Sequence, residues 1–344
     1  MKTPIIVALC LGAAASLGLA FTFELPFIDT VQRGYRGTAM VQVYNSPTQV
    51  KHTAQNQAPP AQDPQEPSGQ KSSEVYENVK VLGDLDSNEF LRLMAAITEW
   101  VSPEQGCAYC HVEEGLASDA LYTKVVARRM LEMTQHINND WGNHVGQTGV
   151  TCYTCHRGNP VPKNIWFIDP KQDRVGMGGK AGQNAASTKV AYTSLPNDPY
   201  TRYLLKDEEI RVTGATALPT GNRNSVKQAE GTFGLMTHMS SSLGVNCTYC
   251  HNSRAFNEWN GGPPQRVTAW HGIRMARDLN NEYLAPLGPT YPAERLGPGG
   301  DAPKANCTTC HQGAFKPLYG APMLKDYKGL GGHPPVKSAG LSGD

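Results

Sequence analysis

The sequence predicts a mainly α protein with extensive irregular coil, built as two related halves. Three observations predict it. A five-residue motif, Cys-x-x-Cys-His, occurs four times: Cys107-Ala-Tyr-Cys110-His111, Cys152-Tyr-Thr-Cys155-His156, Cys247-Thr-Tyr-Cys250-His251 and Cys307-Thr-Thr-Cys310-His311. Four stretches with helix-period apolar spacing accompany the motifs. A long motif-free stretch divides the motifs into two pairs.

At the N-terminus, Ile5 to Phe23 carry no charge and are nearly all apolar or small. As a helix the run spans about 28 Å, close to a bilayer's hydrocarbon core. Gly18-Leu19-Ala20 would serve as a cleavage pattern, but the unbroken apolar length favours a retained anchor or uncleaved signal over residues 1–24. Gly12 with Ser16, and Ala14 with Gly18, offer a small-residue face for other membrane helices. Residues 25–75 read as an extended segment and linker, because 45–73 are rich in Pro, Gln, Ser and Ala, with "APPAQDPQEPSGQ" at 58–70. Residues 76–158 form the first half, 159–228 a connection containing "GMGGKAGQ" at 176–183, 229–320 the second half and 321–344 a C-terminal tail. Helices are expected at "EFLRLMAAITEWV" (89–101), "YTKVVARRMLEMTQHI" (122–137), "GTFGLMTHMSSSL" (231–243) and "VTAWHGIRMARDLNNEYL" (267–284). The repeated unit is helix, loop, motif, which suggests duplication of a two-motif half.

The motif chooses the chemistry. Nine cysteines are present and the four motifs use eight, leaving Cys10 in the apolar run. A redox disulfide would occur once and needs no trailing histidine; zinc would need two pairs to meet, or one pair with two histidines at ligand spacing. Thioether attachment of haem accounts for a histidine behind every second cysteine: the thiols add to two vinyl groups, and the imidazole four residues past the first Cys faces the same side and meets the iron. Four motifs predict four covalently attached c-type haems held by Cys107, Cys110, Cys152, Cys155, Cys247, Cys250, Cys307 and Cys310. His111, His156, His251 and His311 are the first iron ligands. Haem is attached this way outside the cytoplasmic membrane, so the chain is expected to be exported, with no motif thiol left for a disulfide.

The second axial ligand decides whether each haem only passes electrons and at what potential; methionine raises the potential and a second histidine lowers it. Each repeat helix carries methionine: Met94, Met130 or Met133, Met236 or Met239, and Met275. A single methionine on an apolar face is usually core, yet Met94 precedes Cys107 by 13 residues and Met236 precedes Cys247 by 11, enough to turn back over a porphyrin. The spare histidines are His52, His136, His144, His238, His271 and His333, of which His52 and His333 lie in tail-like sequence. Mixed ligation is expected, and for the fourth haem Met275, His271 and His144 compete.

Charge excludes a nucleic-acid role: 31 basic and 30 acidic residues leave +1. Residues 76–158 hold 11 acidic and 6 basic side chains, a net −5, and 229–328 hold 7 and 9, a net +2. Glu99, Glu104, Glu113, Glu114 and Asp119 crowd near the first motif. They form either a solvated face or a docking patch for a basic partner.

Over residues 75–330 the chain resembles the tetrahaem cytochrome subunit of purple-bacterial photosynthetic reaction centres. The resemblance rests on "ITEWVSPEQGCAYCH" (97–111), "VVARRMLEMTQHIN" (125–138), "QTGVTCYTCHRG" (147–158), "SLGVNCTYCHN" (242–252), "GIRMARDLN" (272–280) and "CTTCHQG" (307–313). It implies three His/Met haems and one His/His haem, with Met94, Met130 and Met236 as sixth ligands of the first three and His144 of the fourth; Met275 would then be packing. It also implies a periplasmic electron carrier seated on the L and M subunits, which re-reduces the photo-oxidised bacteriochlorophyll pair. Electrons would come from a soluble donor, a small c-type cytochrome or a high-potential iron-sulfur protein. The haems would run third, fourth, second, first away from the pigment, with Arg266 a positive neighbour of the third. A lipid-bearing cysteine common in relatives is missing after the apolar run, so the helix is expected to anchor the chain. The alternative is a membrane-anchored tetrahaem quinol dehydrogenase, an enzyme with an open or weakly ligated iron.

Overall fold

The computed structural model describes residues 2–22, 28–32, 41–113, 115–170, 187–213 and 224–331. Glu114, the glycine-rich stretch 176–183 and residues 332–344, His333 among them, lie outside the described residues.

The apolar N-terminal run forms helix α1, Lys2–Thr22. Its segment Pro4–Phe21 buries nothing against the rest of the chain and is long and apolar enough to cross a membrane. Strands β1 (Ile28–Gln32) and β2 (Val41–Asn45) follow as an antiparallel pair with Thr30 opposite Val43. Asn45 then caps α2, Ser46–Gln55, by accepting from the Thr48 amide.

The expected extended linker of residues 45–73 is helical over 46–55; beyond α2 the chain is extended, but it is held on the body. Asn56 is buried and donates through Nδ2 to the carbonyls of His52 and Gln312. The guanidinium of Arg92 donates to the carbonyls of Gln62, Asp63 and Asp326 and lies 4.5 Å over the Tyr327 ring. An extended segment without its own ladder must satisfy its backbone elsewhere, and here side chains of the body do so.

After α3 (Ser72–Val75), the four helices expected from apolar period are all present: α4 (Ser87–Val101), α5 (Tyr122–Asp140), α8 (Val226–Leu243) and α9 (Gln265–Asp278). Short α6 (Gly142–Val145) and α7 (Cys152–His156) follow α5, and α10 (Cys307–His311) closes the series. Asp86 caps α4 through the Asn88 amide, while Ser225 and Gln228 form a capping box on α8, which Gly244 ends in the left-handed conformation.

Two apolar clusters fix these helices. Leu93, Ala96 and Trp100 on one face of α4 meet Leu82, Leu318, Met323, Tyr327 and Leu330. Residues 323–330, in the stretch read as a tail, therefore complete the first core. Ile273 and Ala276 of α9 and Leu235 of α8 meet Trp166, Tyr200, Tyr203 and Leu204. The described part of the connection 159–228 thus contributes core side chains to the second half.

Candidate haem-binding site

The four motifs fold as tight turns of two kinds. Cys107 and Cys247 lie in 3₁₀ turns, Gly106–Tyr109 and Cys247–Tyr249. Cys152 and Cys307 open the single-turn helices α7 and α10, each with a threonine at its third position, Thr154 or Thr309, whose hydroxyl accepts from the amide of the capping residue, Thr151 or Asn306. Both short helices end on a left-handed residue, Arg157 (φ 49°) and Gln312 (φ 48°), followed by a glycine of positive φ, Gly158 and Gly313. Non-glycine residues adopt this conformation at a cost of roughly 1–2 kcal/mol, and here it turns the chain back over the motif histidine.

The result of both geometries is the same hydrogen bond. His111 Nδ1 lies 2.9 Å from the Leu116 carbonyl, and His251 Nδ1 2.8 Å from that of Phe256, each five residues on. His156 Nδ1 lies 2.9 Å from the Asn159 carbonyl and His311 Nδ1 2.9 Å from that of Ala314, three residues on. A carbonyl has no proton to give, so Nδ1 carries the hydrogen and a neutral ring keeps its lone pair on Nε2. Burial favours that neutral form, pushing His156 down and His311 down to about 4. Metal-bound histidines are held by such an outer bond from the other ring nitrogen.

The spare histidines separate on the same criterion. His144 Nδ1 donates to the Thr268 carbonyl at 2.9 Å, leaving Nε2 free, and burial holds its pKa below the usual imidazole range. His136 uses both nitrogens on carboxylates, Asp140 and Asp278, each at 2.6 Å. His238 is buried between Tyr200 and Ser242. His52, read as tail-like, lies on α2 with its ring against Gly313. The ring of His144 faces that of His311 at a centroid separation of 6.0 Å and an interplanar angle of 66°. Two imidazoles on opposite sides of one metal, with metal–nitrogen bonds of about 2 Å, have centroids about 6 Å apart.

A cavity of about 1660 Å³ runs between the helices. Its lining includes Cys107, Cys110 and His111, Cys152, Cys155 and His156, and Cys307, Cys310 and His311. Met94, Met130, Met275 and His144 face it as well. Of the third motif only Tyr249 lines this cavity; Cys247 is exposed and His251 stacks on Phe256 at 4.2 Å. Met236 packs at the edge of the second core cluster.

The thiols do not suit the rival chemistries. Burial raises Cys152 and Cys307 to about 12 and Cys250 to about 11, opposite to the lowered pKa of a redox pair. Among the described residues no three His, Cys, Asp or Glu side chains form a metal-holding group. The structure does pair Cys155 with Cys310 as a disulfide, Cα atoms 4.5 Å apart, where the sequence reading assigns both sulfurs to thioethers. Each sulfur holds either its neighbour or a vinyl carbon, so haem attachment and this disulfide are alternatives for the same atoms. What the pairing reports is adjacency: α7 and α10 touch, and Arg157 bridges them by donating to the carbonyls of Thr154 and Cys310.

Asp119 leaves the acidic cluster. Arg128, Lys80 and Lys124 lie 2.8, 3.2 and 3.5 Å from its carboxylate. Desolvation pushes its pKa up, but the hydrogen bonds from Arg128 and Lys80 outweigh it and hold the group at about 2. Glu99 accepts from Gln62, while Glu104 and Glu113 stay exposed.

Imidazoles held through Nδ1, paired thiols and an apolar cavity fit covalently bound haem, and define a c-type cytochrome. The match extends over most of the chain. Residues 24–331 fit the family model of the photosynthetic reaction centre cytochrome c subunit. The chain is 55% identical over 330 residues to the photosynthetic reaction center cytochrome c subunit of Rubrivivax gelatinosus, covering 95% of this chain and 90% of that one. Identity is 53% over 307 residues to the protein of the same name from Thermochromatium tepidum (89% and 76% covered), and 42% over 333 residues to that of Roseobacter denitrificans (93% and 89%). The chain belongs to the photosynthetic reaction centre cytochrome c subunit family.

Sequence reasoning missed the carbonyl acceptors and the role of Gly272, against which His144 packs. Any residue type supplies a carbonyl, so only the glycine two places behind each of the second and fourth motifs hinted at the turn.

Proposed function

We propose that this electron carrier of the photosynthetic reaction centre holds four haems, one per motif, and passes electrons along them to the photo-oxidised bacteriochlorophyll pair. The observation that carries the proposal is the shared Nδ1–carbonyl bond of all four motif histidines and of His144. His144 is the sixth ligand of the fourth haem, and Met94, Met130 and Met236 those of the first three. Met275 is packing. Bound haem supplies one-electron transfer; the chain's own residues orient the imidazoles, exclude water and fix the spacing. Adjacency of α7 and α10 supports the second and fourth haems being neighbours.

Support for two duplicated halves comes from local geometry. Motifs one and three share the 3₁₀ turn and the acceptor five residues on; motifs two and four share the helical turn and the acceptor three residues on. The chain is membrane-associated, and α1 acts as its anchor on the periplasmic side. The third motif faces the L and M subunits: it carries exposed Phe256 and Trp259, with Arg266 5.1 Å over the Trp259 ring. The soluble donor docks at the first motif, a reading supported by the exposure of Glu104 and Glu113 and of Leu91 and Leu116. The family match gives the quinol dehydrogenase alternative no support.

The test is a flash experiment on membranes containing the protein, with a pyridine haemochrome count on the purified complex. Four c-type haems per chain, with haem oxidation following the flash, are expected. A count other than four, or no flash-induced haem oxidation in bacteriochlorophyll-containing membranes, overturns the reading.

A further inference from the structure

The Leu116 carbonyl that holds His111 has a second donor. Lys124 Nζ lies 2.7 Å from it, while His111 Nδ1 lies 2.9 Å away. The same ammonium reaches the Ser118 carbonyl at 2.8 Å and the Asp119 carboxylate at 3.5 Å. Three acceptors around one nitrogen, and nothing that donates to it, describe an ammonium with its three hydrogens used. Lys124 is buried, so water screens this charge weakly. Asp119 does not cancel it, since Lys80 and Arg128 share that carboxylate: three cations surround one anion behind the first motif.

The other motif histidines have no such arrangement. The Asn159, Phe256 and Ala314 carbonyls show no cationic donor among the described bonds. At the third motif, Arg266 donates to the carbonyls of Asn257 and Glu258, one and two residues past the acceptor.

The geometry points to Lys124 as a residue that raises the reduction potential of the haem at the first motif, by sharing the Leu116 carbonyl with His111. Two effects act in the same direction. A positive charge near the haem disfavours the oxidised form, which carries one more positive charge. A carbonyl already occupied by an ammonium is a weaker acceptor for the imidazole N–H, so the ring donates less electron density to a bound metal, and outer hydrogen bonds are a recognised lever on haem potential. Lys124 lines the same cavity as the first motif and acts through its charge and the shared carbonyl, as a positioning and tuning residue.

The inference rests on the first motif holding haem, so the experiment separates the two. Midpoint potentials are measured by redox titration of the whole complex for wild type, Lys124→Gln, Lys124→Arg and Asp119→Asn, with a haem count on each. The midpoint missing from a Cys107→Ala/Cys110→Ala variant identifies the first haem; if no haem is lost there, the haem reading itself fails. Lys124→Gln keeps two donors and removes the charge. It should leave four haems and weaken reduction of that one haem about tenfold, about 59 mV for one electron. Lys124→Arg should restore the wild-type value, and Asp119→Asn should move the same midpoint upward. An unchanged first midpoint in both Lys124→Gln and Asp119→Asn, or an equal fall at all four haems, overturns the inference. If Lys124→Gln loses the haem, the Asp119→Asn shift alone decides.

Discussion

Replacing Gly272 by alanine tests the His144 assignment without altering a ligand. Gly272 lies inside α9, and a Cβ there would fall 2.5 Å from Cε1, 2.8 Å from Nδ1 and 3.1 Å from Nε2 of His144. Carbon contacts settle at about 3.5–4.0 Å, so the ring must retreat by about 1 Å. It has little room, because its Nδ1–H is bonded to Thr268 on the same helix. Helix propensity favours alanine over glycine by about 1 kcal/mol. Overpacking costs about 1–3 kcal/mol, so the net stability change runs from neutral to about 2 kcal/mol of loss. The spectroscopic effect is larger: a metal–nitrogen bond of about 2 Å does not lengthen by half. Gly272→Ala should therefore convert one haem of the oxidised protein from low to high spin, seen by electron paramagnetic resonance, and should shift one midpoint. Met275→Leu should leave all four spectra unchanged. A Gly272→Ala protein with wild-type spectra and a stability gain of about 1 kcal/mol would refute the assignment, and high spin in Met275→Leu would transfer it to Met275.

The remaining predictions use other parts of the chain. A Cys152→Ala/Cys155→Ala protein should carry three normally attached haems, counted by haemochrome and intact mass; four would contradict the motif reading. Charge reversal at Glu113 and Glu114 should slow association of the soluble donor in stopped-flow mixing. The difference should shrink with salt, which screens exposed charges beyond about 10 Å at 0.1 M, and insensitivity to both changes would point to the apolar surface instead. Burial lowers the pKa of His238 from 6.5 to about 4, against a smaller raising contact with the Lys189 backbone. The unfolded chain therefore takes up the proton first: the contribution is complete above pH 6.5 and is lost as pH falls towards 4, on the order of 3 kcal/mol. Denaturation midpoints that do not vary over this range would argue against a buried neutral ring. Intact mass of the mature chain should include Ile5 to Phe23, whereas a chain starting at Phe21 would make the segment an export signal.

Much of this was legible because the covalent chemistry leaves a rigid trace. Cys-x-x-Cys-His admits few uses, and the apolar period of α4, α5, α8 and α9 predicted their existence. The pairing of His144 with His311 was not legible from spacing, since the two rings meet across 167 residues and Met275 sits where the repeat would put a ligand. Composition also hid what the polar segments do. Residues 56–63 look like linker because they have no apolar face, yet their backbone is bonded by Arg92 and Tyr327. The acidic cluster looked uniform in sequence, but Asp119 is neutralised by residues 39 positions before it and 5 and 9 after it. Side-chain pairing of that range has no period to read.

The carbonyl acceptors bear on how such a chain can give its haems different potentials. Four motif histidines bonded to four backbone carbonyls share one outer hydrogen bond, with Nδ1–O distances of 2.8 to 2.9 Å. A backbone acceptor is insensitive to substitution, so it preserves the ring's tautomer and orientation while the sequence around it changes. For the same reason it cannot distinguish one haem from another. Differences come from the sixth ligand, from burial or from charges beyond the carbonyl. On the proposed ligand set, His144 in place of methionine would lower the fourth haem, while Lys124 and Arg266 donate to carbonyls that follow the first and third motifs. The second and fourth motifs differ here: Arg157 follows His156 directly, whereas the uncharged Gln312 follows His311. Arg157 keeps its charge at neutral pH although burial lowers its pKa to about 10. Its guanidinium donates to the Thr154 and Cys310 carbonyls, one in each motif, so a single cation joins the second and fourth motifs.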